Sequence, residues 1–364
     1  MDLQEHRQQF PGLNNKFYFN YGGQGPMPKA SLEAIIDSYK HLEVHGPFSY
    51  KSNNWVSQCL MTTKQTIAQE IGIHPHHLTL TENVTAGCNV ALWGMDWQPG
   101  DHLLLTDCEH PGVIAIALEL QRRCGITFST CPVGNTLNGG DPVAVIREHL
   151  RPETKMVIVS HLLWNTGQIL PIKEIAAACH DRDTLLLVDA AQSVGSLPLD
   201  LLASGVDYYA FTGHKWWCGP GGVGGLFISP QVKTNPTFIG WRGVDETVKD
   251  DAFEIIWKQD GAKYEIATSA YPLYYGLKAA IDTHNEWGDA HQRYEQIKLN
   301  SAYLWGELTK IPGLSCLKDS APEAGLISFT VDSLQSHTSL AKALERSGLM
   351  VRTLALPNCL RACV

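Results

Sequence analysis

The 364-residue sequence lacks the features of a membrane or nucleic-acid-binding protein. No apolar run approaches the roughly 18 residues that a membrane span needs. The first ten residues, MDLQEHRQQF, are polar and charged and lack the apolar stretch of a signal peptide. Positive charge is also scarce, since 28 Lys and Arg stand against 37 Asp and Glu, for a net charge of −9. We therefore expect a cytosolic protein with no general surface for nucleic acid or anionic membranes.

Patterns that bind metal are missing as well. None of the ten cysteines forms a CxxC pair, and no histidine stands at a ligand spacing beside a pair of cysteines. We therefore expect no metal site and interpret most of the cysteines as small buried residues in a reducing compartment. Apolar residues make up 44% of the chain and charged residues 18%, which is a globular composition and excludes a disordered chain.

The middle of the chain alternates apolar runs, typical of buried strands, with helical patterns. The strand-like runs are 102–107, 154–161, 184–191 and 222–229. The helical patterns between them are 113–124, 143–151 and 173–183. Strands that are apolar on both faces and alternate with helices indicate an α/β fold with a large, doubly wound and mainly parallel sheet.

After about residue 250 the alternation of strand and helix patterns stops and longer helical patterns begin. A strand-like run at 325–332 and a helical pattern at about 336–347 follow, which indicates a smaller α+β domain. We predict an N-terminal arm at 1–15, a large domain at 16–255 and a small C-terminal domain at 256–364, to which the arm contributes. The sequence given ends three residues after Arg361, so we expect that a further element can follow.

Reactive side chains follow two of the predicted strands, at the sheet edge where ligands collect. Asp189 and Gln192 follow the run 184–188, and the stretch VDYYAFTGHK (206–215) ends in Thr212, His214 and Lys215. A partly desolvated lysine is nucleophilic enough to form a Schiff base, and a buried aspartate can pair with a pyridinium nitrogen. Each residue alone is more often a loop lysine or a turn aspartate, but the set in this order favours a site for pyridoxal phosphate (PLP).

Two upstream segments fit the same cofactor but allow simpler interpretations. Thr85 and Ala86 begin a helical pattern after LTLT, where free N–H groups bind phosphate or an ordinary N-cap forms. His110, in TDCEHPG, follows a predicted strand. Its imidazole could stack on a flat cofactor ring or be an ordinary satisfied polar group.

Five segments in order, TENVT, CEHPG, HLLWNTGQ, VDAAQSVG and TGHKWWCGPGGVG, resemble the PLP enzymes of aminotransferase class V, the group that contains the NifS- and SufS-type cysteine desulfurases. The similarity runs from FYFNYGGQGPMP (17–28) to the segment 351–364. Within the family the sequence most resembles homodimeric, β-eliminating C–S lyases that act on L-cysteine and L-cystine. The resemblance implies the PLP-dependent transferase fold of type I.

The resemblance also implies roles around the cofactor ring. Lys215 would be the Schiff-base lysine and the general base. Asp189 would pair with the pyridinium nitrogen, and Gln192 would donate to the phenolic oxygen. His110 would stack on the face of the ring.

Other matching residues would hold the phosphate and the substrate. Those implied for the phosphate are Thr85, Ala86, Thr212 and His214. Thr268, in KYEIATSAYP, would reach the phosphate of the neighbouring subunit in a homodimer. Asn165 and Arg361 would bind the α-carboxylate of the substrate, Arg361 through a planar bidentate pair.

The C-terminal segment departs from the desulfurases, which carry a persulfide-forming cysteine on a mobile loop after a VRTGHHCA-like sequence. Here the sequence of residues 351–364 is VRTLALPNCLRACV, and the GHHCA stretch is missing. Cys359 lies two residues from Arg361, too close to the carboxylate-binding arginine to move on a long loop. We interpret Cys359 as a structural or near-site residue.

Without that nucleophile the sulfur must leave by β-elimination. We expect pyruvate and ammonia, with cysteine persulfide from L-cystine or sulfide from L-cysteine, and apo iron–sulfur proteins as acceptors of the sulfur. Two alternatives stay open at this point. One is a cysteine desulfurase that uses Cys359 as persulfide carrier, and the other is a non-catalytic sulfur-transfer scaffold.

Overall fold

The computed structural model of the protein describes residues 2–245, 255–332 and 337–364. The helices are α1 (Leu3–Gln8), α2 (Lys29–His45), α3 (Tyr50–Ile71), α4 (Val84–Trp93), α5 (Pro111–Cys124), α6 (Pro142–His149), α7 (Ile172–His180), α8 (Leu201–Ser204), α9 (Tyr271–Trp287), α10 (Ala290–Leu308) and α11 (Thr338–Arg346). The strands are β1 (Phe17–Tyr18), β2 (Leu78–Thr81), β3 (His102–Thr106), β4 (Thr127–Cys131), β5 (Thr154–Ser160), β6 (Leu185–Asp189), β7 (Tyr208–Thr212), β8 (Gly224–Ile228), β9 (Leu314–Cys316), β10 (Leu326–Val331), β11 (Leu349–Met350), β12 (Arg352–Leu354) and β13 (Cys359–Cys363). None of the helices in these ranges combines the length and the apolarity that a membrane crossing needs.

The large sheet has seven strands in the order β2–β8–β7–β6–β5–β3–β4. Its five strands from β7 to β4 pair in parallel, and β8 runs antiparallel to both of its neighbours. Alternate residues of β5 enter two separate cores: Val157 and Val159 lie in one with α7, and Met156 and Ile158 lie in the other with α5. Helices thus cover both faces of the sheet, and the predicted doubly wound α/β fold is confirmed.

The strands and helices predicted for the middle of the chain are confirmed to within three residues at each end. Helix α5 shows why its limits are sharp. Pro111 occupies its first turn, where the missing N–H costs nothing, and Gly125 ends it with a left-handed φ of 70°. The carboxyl end of β3 is thereby joined to α5 through a short turn that contains His110.

A four-stranded antiparallel sheet, in the order β12–β13–β10–β9, forms from the last 51 residues, 314–364. The predicted strand at 325–332 is confirmed as β10, and the predicted helix at about 336–347 is confirmed as α11, although residues 333–336 lie outside the described residues. Residues near the N-terminus join this region, since β1 pairs in parallel with β11. The proposed domain boundary at 255/256 adjoins residues 246–254, which also lie outside the described residues, so the domain limits stay a prediction.

Candidate active site

The parallel strands of the large sheet bring the carboxyl ends of β5, β6 and β7 together. Ser160 is the last residue of β5 and lies opposite Asp189, the last residue of β6, which in turn lies opposite Ala210 of β7. The segments that follow these strands contain Asn165, Gln192 and Lys215. These predicted site residues therefore lie at the carboxyl edge of the sheet, where ligands of such sheets bind.

Lys215 lies in a largely buried position beside Asp189. Burial lowers the pKa of Lys215 to about 8, and Arg361 adds to this shift while the carboxylate of Asp189 opposes it. A lysine with a pKa of about 8 carries far more neutral amine near pH 7 than an ordinary lysine does. This is the property that nucleophilic attack and proton removal both require.

Asp189 is only 5% exposed. Burial raises its pKa, while a hydrogen bond from the Ala191 N–H to Oδ1, at 2.9 Å, and the charges of Lys215 and His110 oppose the rise. A carboxylate in this low-dielectric setting gains most from a cationic partner, because charge-assisted hydrogen bonds are strongest where water is excluded. Asp189 is therefore suited to pairing with a protonated ring nitrogen.

Gln192 is held by both ends of its amide group. Nε2 donates to the Gly22 carbonyl at 2.9 Å, and Oε1 accepts from Trp216 Nε1 at 3.0 Å. These contacts fix which end of the amide is the donor. Because an amide nitrogen has two N–H groups, Gln192 retains one for another acceptor.

His110 caps the N-terminus of α5. Its Nδ1 accepts from the Gly112 N–H at 3.1 Å, and its ring meets Trp164 edge to face, with the ring centroids 5.7 Å apart. Burial lowers the pKa of His110, and the nearby Asp189 carboxylate opposes that shift. A neutral imidazole with Nδ1 as acceptor carries its proton on Nε2.

Four predicted phosphate residues lie on two neighbouring segments. Thr212 Oγ1 and His214 Nδ1 are hydrogen-bonded at 2.7 Å, after the end of β7. Thr85 and Ala86 lie in the first turn of α4, and a Cβ built on Gly112 would come within 3.4 Å of Thr85 Oγ1 and 3.2 Å of His110 Nδ1. Thr85 therefore lies close to His110, whereas the Ala86 N–H already donates to Asn83 Oδ1 at 2.9 Å.

Thr268 lies on the surface of the chain, near Ala86 among the predicted site residues. It is exposed and contributes to the walls of two cavities, of about 470 Å³ and about 990 Å³, the larger of which also contains Ala86. Its position in a single chain is thus on the surface next to α4 rather than beside Lys215.

Arg361 and Asn165 meet where the small sheet contacts the large one. Arg361, on β13, is 2% exposed and donates through Nη1 to the Trp164 carbonyl at 2.7 Å. Ser328 lies opposite Arg361 on β10 and donates to the Asn165 carbonyl at 2.7 Å, which fixes the two sheets to each other. Arg361 Nε and Nη2, together with Asn165 Oδ1, are buried without a protein partner.

The unpartnered guanidinium edge is suited to a carboxylate. Leaving charged donors buried and unpaired is costly, and two parallel N–H groups match the two oxygens of a carboxylate. Gly22 lies against this group: a Cβ there would be 2.8 Å from Nη2 of Arg361 and 3.0 Å from Cys363 Sγ. Only a glycine allows the 21–23 segment to pass so close to the guanidinium group.

The sequence reasoning missed a second arginine at the site. Arg352, on β12, lies directly opposite Arg361 in the antiparallel ladder, so the two side chains share one face of the small sheet. The charge of Arg352 contributes to the lowered pKa values of both Lys215 and His110. Both arginines are visible in the sequence, in VRT and CLRAC, but pairing them requires the register of the hairpin. That hairpin has no strong turn motif from which the register could be predicted.

Cys359 lies within β13 and is fully buried. Burial raises its pKa to about 11, although a hydrogen bond with Ser328 and the charge of Arg361 oppose the rise. A short hairpin joins β12 to β13, with Leu354 paired to Cys359. The thiol is therefore protonated near neutral pH and tethered to a central strand.

Known proteins provide an independent comparison. Residues 17–360 match the family Aminotransferase class-V. A probable cysteine desulfurase from Methanothermobacter thermautotrophicus is 27% identical over 97% of this chain and 87% of its own length. The isopenicillin N epimerase of Streptomyces clavuligerus is 30% identical over 61% of this chain and 56% of its own length.

Among solved structures, two of C-DES superpose with a TM-score of 0.94 at 49% identity, over 98% of this chain and 94% of theirs. One is a complex of this cystine C–S lyase with its reaction product cysteine persulfide, and the other is a lysine-to-alanine variant with glycine covalently linked to the PLP cofactor. The cysteine desulfurase CsdA of Escherichia coli shares the fold, with a TM-score of 0.86 at 21% identity over 100% of this chain and 93% of its own. The chain therefore belongs to the aminotransferase class-V family and has its type I fold of PLP-dependent transferases, as the sequence predicted.

Proposed function

We propose that this protein is a PLP-dependent C–S lyase that cleaves L-cystine, and less readily L-cysteine, by β-elimination. With cystine and one water as reactants, the products are pyruvate, ammonia and cysteine persulfide. The proposal is supported by the 49% identity to the cystine C–S lyase C-DES and by the side chains at the carboxyl edge of the large sheet.

The donor set at this edge fits PLP. Lys215 provides a buried amine of lowered pKa, and Asp189 provides a buried carboxylate that a pyridinium nitrogen would satisfy. Gln192 and His110 would contact the ring, and the phosphate would be held by Thr85, Ala86, Thr212 and His214. When bound, PLP supplies an electron sink that stabilises negative charge at the substrate Cα.

The protein's own residues supply proton transfer and orientation. Lys215 removes the Cα proton as general base, and its pKa of about 8 matches that task near neutral pH. Arg361 holds the α-carboxylate through Nε and Nη2, with Asn165 beside it, and so fixes the direction of the bond to be broken. Asp189, Asn165 and Arg361 are themselves buried, and polar contacts made in such low-dielectric surroundings are stronger than in water.

The paired arginines favour cystine over cysteine. Arg352 and Arg361 are opposite each other on one face, and two like charges in that relation are unfavourable unless anions accompany them. Cystine carries two α-carboxylates, one for each guanidinium group, whereas cysteine carries one. The persulfide that leaves from cystine is also a weaker base than sulfide and hence a better leaving group.

The position of Cys359 is the single observation that most directly supports elimination over persulfide transfer. A desulfurase cysteine must reach the substrate sulfur as a thiolate and then carry it away. Cys359 is fully buried at the start of β13 and has a pKa of about 11, so either step would require this end of the β12–β13 hairpin to open. The sulfur therefore leaves with the product, and apo iron–sulfur proteins are the proposed acceptors in the cytosol.

We also propose a homodimer in which Thr268 serves the partner's site. Exposed apolar side chains line the two cavities on either side of Thr268; those at least 41% exposed are Tyr39, Phe48, Trp241, Phe238 and Ile266. A second copy of the chain would bury this surface. Mixing inactive Lys215→Ala and Thr268→Ala chains should restore activity, because one site of each mixed dimer would then be intact.

One experiment tests the lyase against its alternatives. Pyruvate and protein-bound persulfide are measured together, with cystine and with cysteine, in the wild type, Lys215→Ala and Cys359→Ser. The lyase requires pyruvate without protein persulfide, lost in Lys215→Ala and kept in Cys359→Ser. Protein persulfide that disappears in Cys359→Ser would indicate a desulfurase, and the absence of a PLP band above 400 nm would indicate a non-catalytic scaffold.

A further inference from the structure

Glu109 is a buried carboxyl group to which the reaction above assigns no role. It is 4% exposed and lies between the carboxyl ends of β3 and β5. Its Oε1 accepts from Thr106 Oγ1 at 2.6 Å and from the Ser160 N–H at 2.9 Å, and its Oε2 contacts Ser160 Oγ at 2.9 Å. Through these three hydrogen bonds the Glu109 side chain connects the ends of two strands.

The two strand ends that Glu109 joins belong to neighbouring strands, and each is next to a residue of the proposed cofactor site. Ser160 is the register partner of Asp189, the residue suited to the pyridinium nitrogen. Thr106 ends β3, and the residue after Glu109 is His110, the N-cap of α5. We propose that Glu109 is a positioning residue that sets His110 relative to Asp189 by hydrogen-bonding Thr106 and Ser160, and that it acts through its shape rather than its charge. This inference rests on the proposed PLP chemistry and deepens it.

The electrostatics of Glu109 support a role for its shape. Burial raises the pKa of Glu109 to about 8, and the Asp189 carboxylate adds to the rise while the hydrogen bond from Thr106 opposes it. At neutral pH the group is thus mostly protonated. The Oε2 contact with Ser160 Oγ can run in either direction, because a hydroxyl both donates and accepts. A glutamine of the same shape can make all three contacts without a charge.

The test compares Glu109→Gln and Glu109→Ala with a matched control, Asp207→Ala. Asp207 is another buried carboxyl of the same sheet, 5% exposed, which accepts from the Leu186 N–H at 2.7 Å and contacts His180 Nε2 at 2.9 Å. It lies at the amino ends of β6 and β7, at the opposite edge from the site. Its loss should destabilise the sheet without moving the cofactor.

The readout is the visible circular dichroism of bound PLP per unit of its absorbance, which reports how the ring is fixed. Glu109→Ala should lower this ratio by about half and kcat by about 10- to 100-fold, the range for displaced catalytic groups. Glu109→Gln should stay within about threefold of the wild type in kcat, with an unchanged ratio. Asp207→Ala should lose thermal stability only.

Thr106→Val and Ser160→Ala, which each remove one contact, should lower the same ratio in smaller steps and replace Glu109→Ala if that variant does not fold. The inference is wrong if Glu109→Gln is as impaired as Glu109→Ala, since charge would then be the operative property. It is also wrong if Glu109→Ala, or the two single-contact variants, move the ratio no more than Asp207→Ala. A wild type without a visible PLP band would instead refute the proposed function.

Discussion

Replacing Arg361 by methionine should strongly weaken substrate binding without destabilising the protein. In the substrate-free protein, Nε and Nη2 of Arg361 are buried without partners, and only Nη1 has one, the Trp164 carbonyl. Each orphaned donor costs about 1–3 kcal/mol, and the lost charged hydrogen bond about 1.5–3 kcal/mol. Removing two orphans and one bond therefore leaves the free energy of unfolding unchanged or higher.

The effect on catalysis has the opposite sign. Two charge-assisted hydrogen bonds to the α-carboxylate, at about 1.5–3 kcal/mol each, amount to about 3–6 kcal/mol. Their loss should lower kcat/KM by about 10²- to 10⁴-fold, for cystine and cysteine alike. Pyruvate formation measures kcat/KM, and thermal unfolding of the protein without substrate measures its stability.

Arg352→Met is the matched control for this prediction. Arg352 lies on the same face but is exposed, so its contact with a second carboxylate is worth only about 1 kcal/mol, or about fivefold in kcat/KM. The loss should be larger with cystine than with cysteine, because only cystine has a second α-carboxylate. An Arg361→Met protein with kcat/KM within tenfold of the wild type, or with a sharply lowered melting temperature, would refute the reasoning.

Three further variants test the large-sheet side of the site. Lys215→Met should abolish pyruvate formation. It should also remove a pH dependence of the free energy of unfolding of the cofactor-free protein. The pKa of Lys215 is about 8 when folded and near 10.5 when unfolded, so the unfolded chain binds more protons between these values and the free energy of unfolding rises with pH there. Urea unfolding of both proteins at pH 7.5 and pH 10 measures this, and an equal rise in both would contradict the assignment. Asp189→Asn should retain PLP but lose most activity, because an amide cannot hold a pyridinium proton; a kcat within about threefold of the wild type, only about 0.65 kcal/mol, would show that the ring nitrogen is handled otherwise. Cys359→Ser should keep pyruvate formation with both substrates, since serine preserves the size and the hydrogen bond to Ser328; loss of turnover together with loss of a protein persulfide would favour a desulfurase.

The sequence predicted the central strands because their residues are buried on both faces. β3, β5, β6 and β7 read as continuous apolar runs, and the residues after β6 and β7 stood out by their chemistry. Strand β4 (TFSTC) was missed because it is a partly exposed edge strand, with no apolar run. Helix α2 was missed because Leu32, Ile36 and Tyr39 on its surface are 44–52% exposed, so the apolar pattern does not mark a core-facing stripe.

Two residues could not be predicted from the sequence because strand pairing alone brings them to the site. Arg352 enters the site through the register of β12 with β13, and Glu109 through the side-by-side position of β3 and β5. A glutamate before a histidine resembles a solvated turn residue until the strand ends are known. The carboxylate site, by contrast, could be named from the family pattern, although the unpartnered donors of Arg361 become visible only in three dimensions.

The separation of Lys215 and Asp189 from Arg352 and Arg361 has an evolutionary consequence. In the proposed mechanism Lys215 and Asp189 break the bond and follow or end strands of the large sheet, whereas the two arginines that bind substrate carboxylates lie on β12 and β13, within about a dozen residues of the chain. Substitutions in that hairpin can alter which substrate is retained while bond cleavage is inherited unchanged. New selectivities can therefore arise from changes in this one hairpin, and a graft of it onto a related scaffold should carry its substrate preference with it.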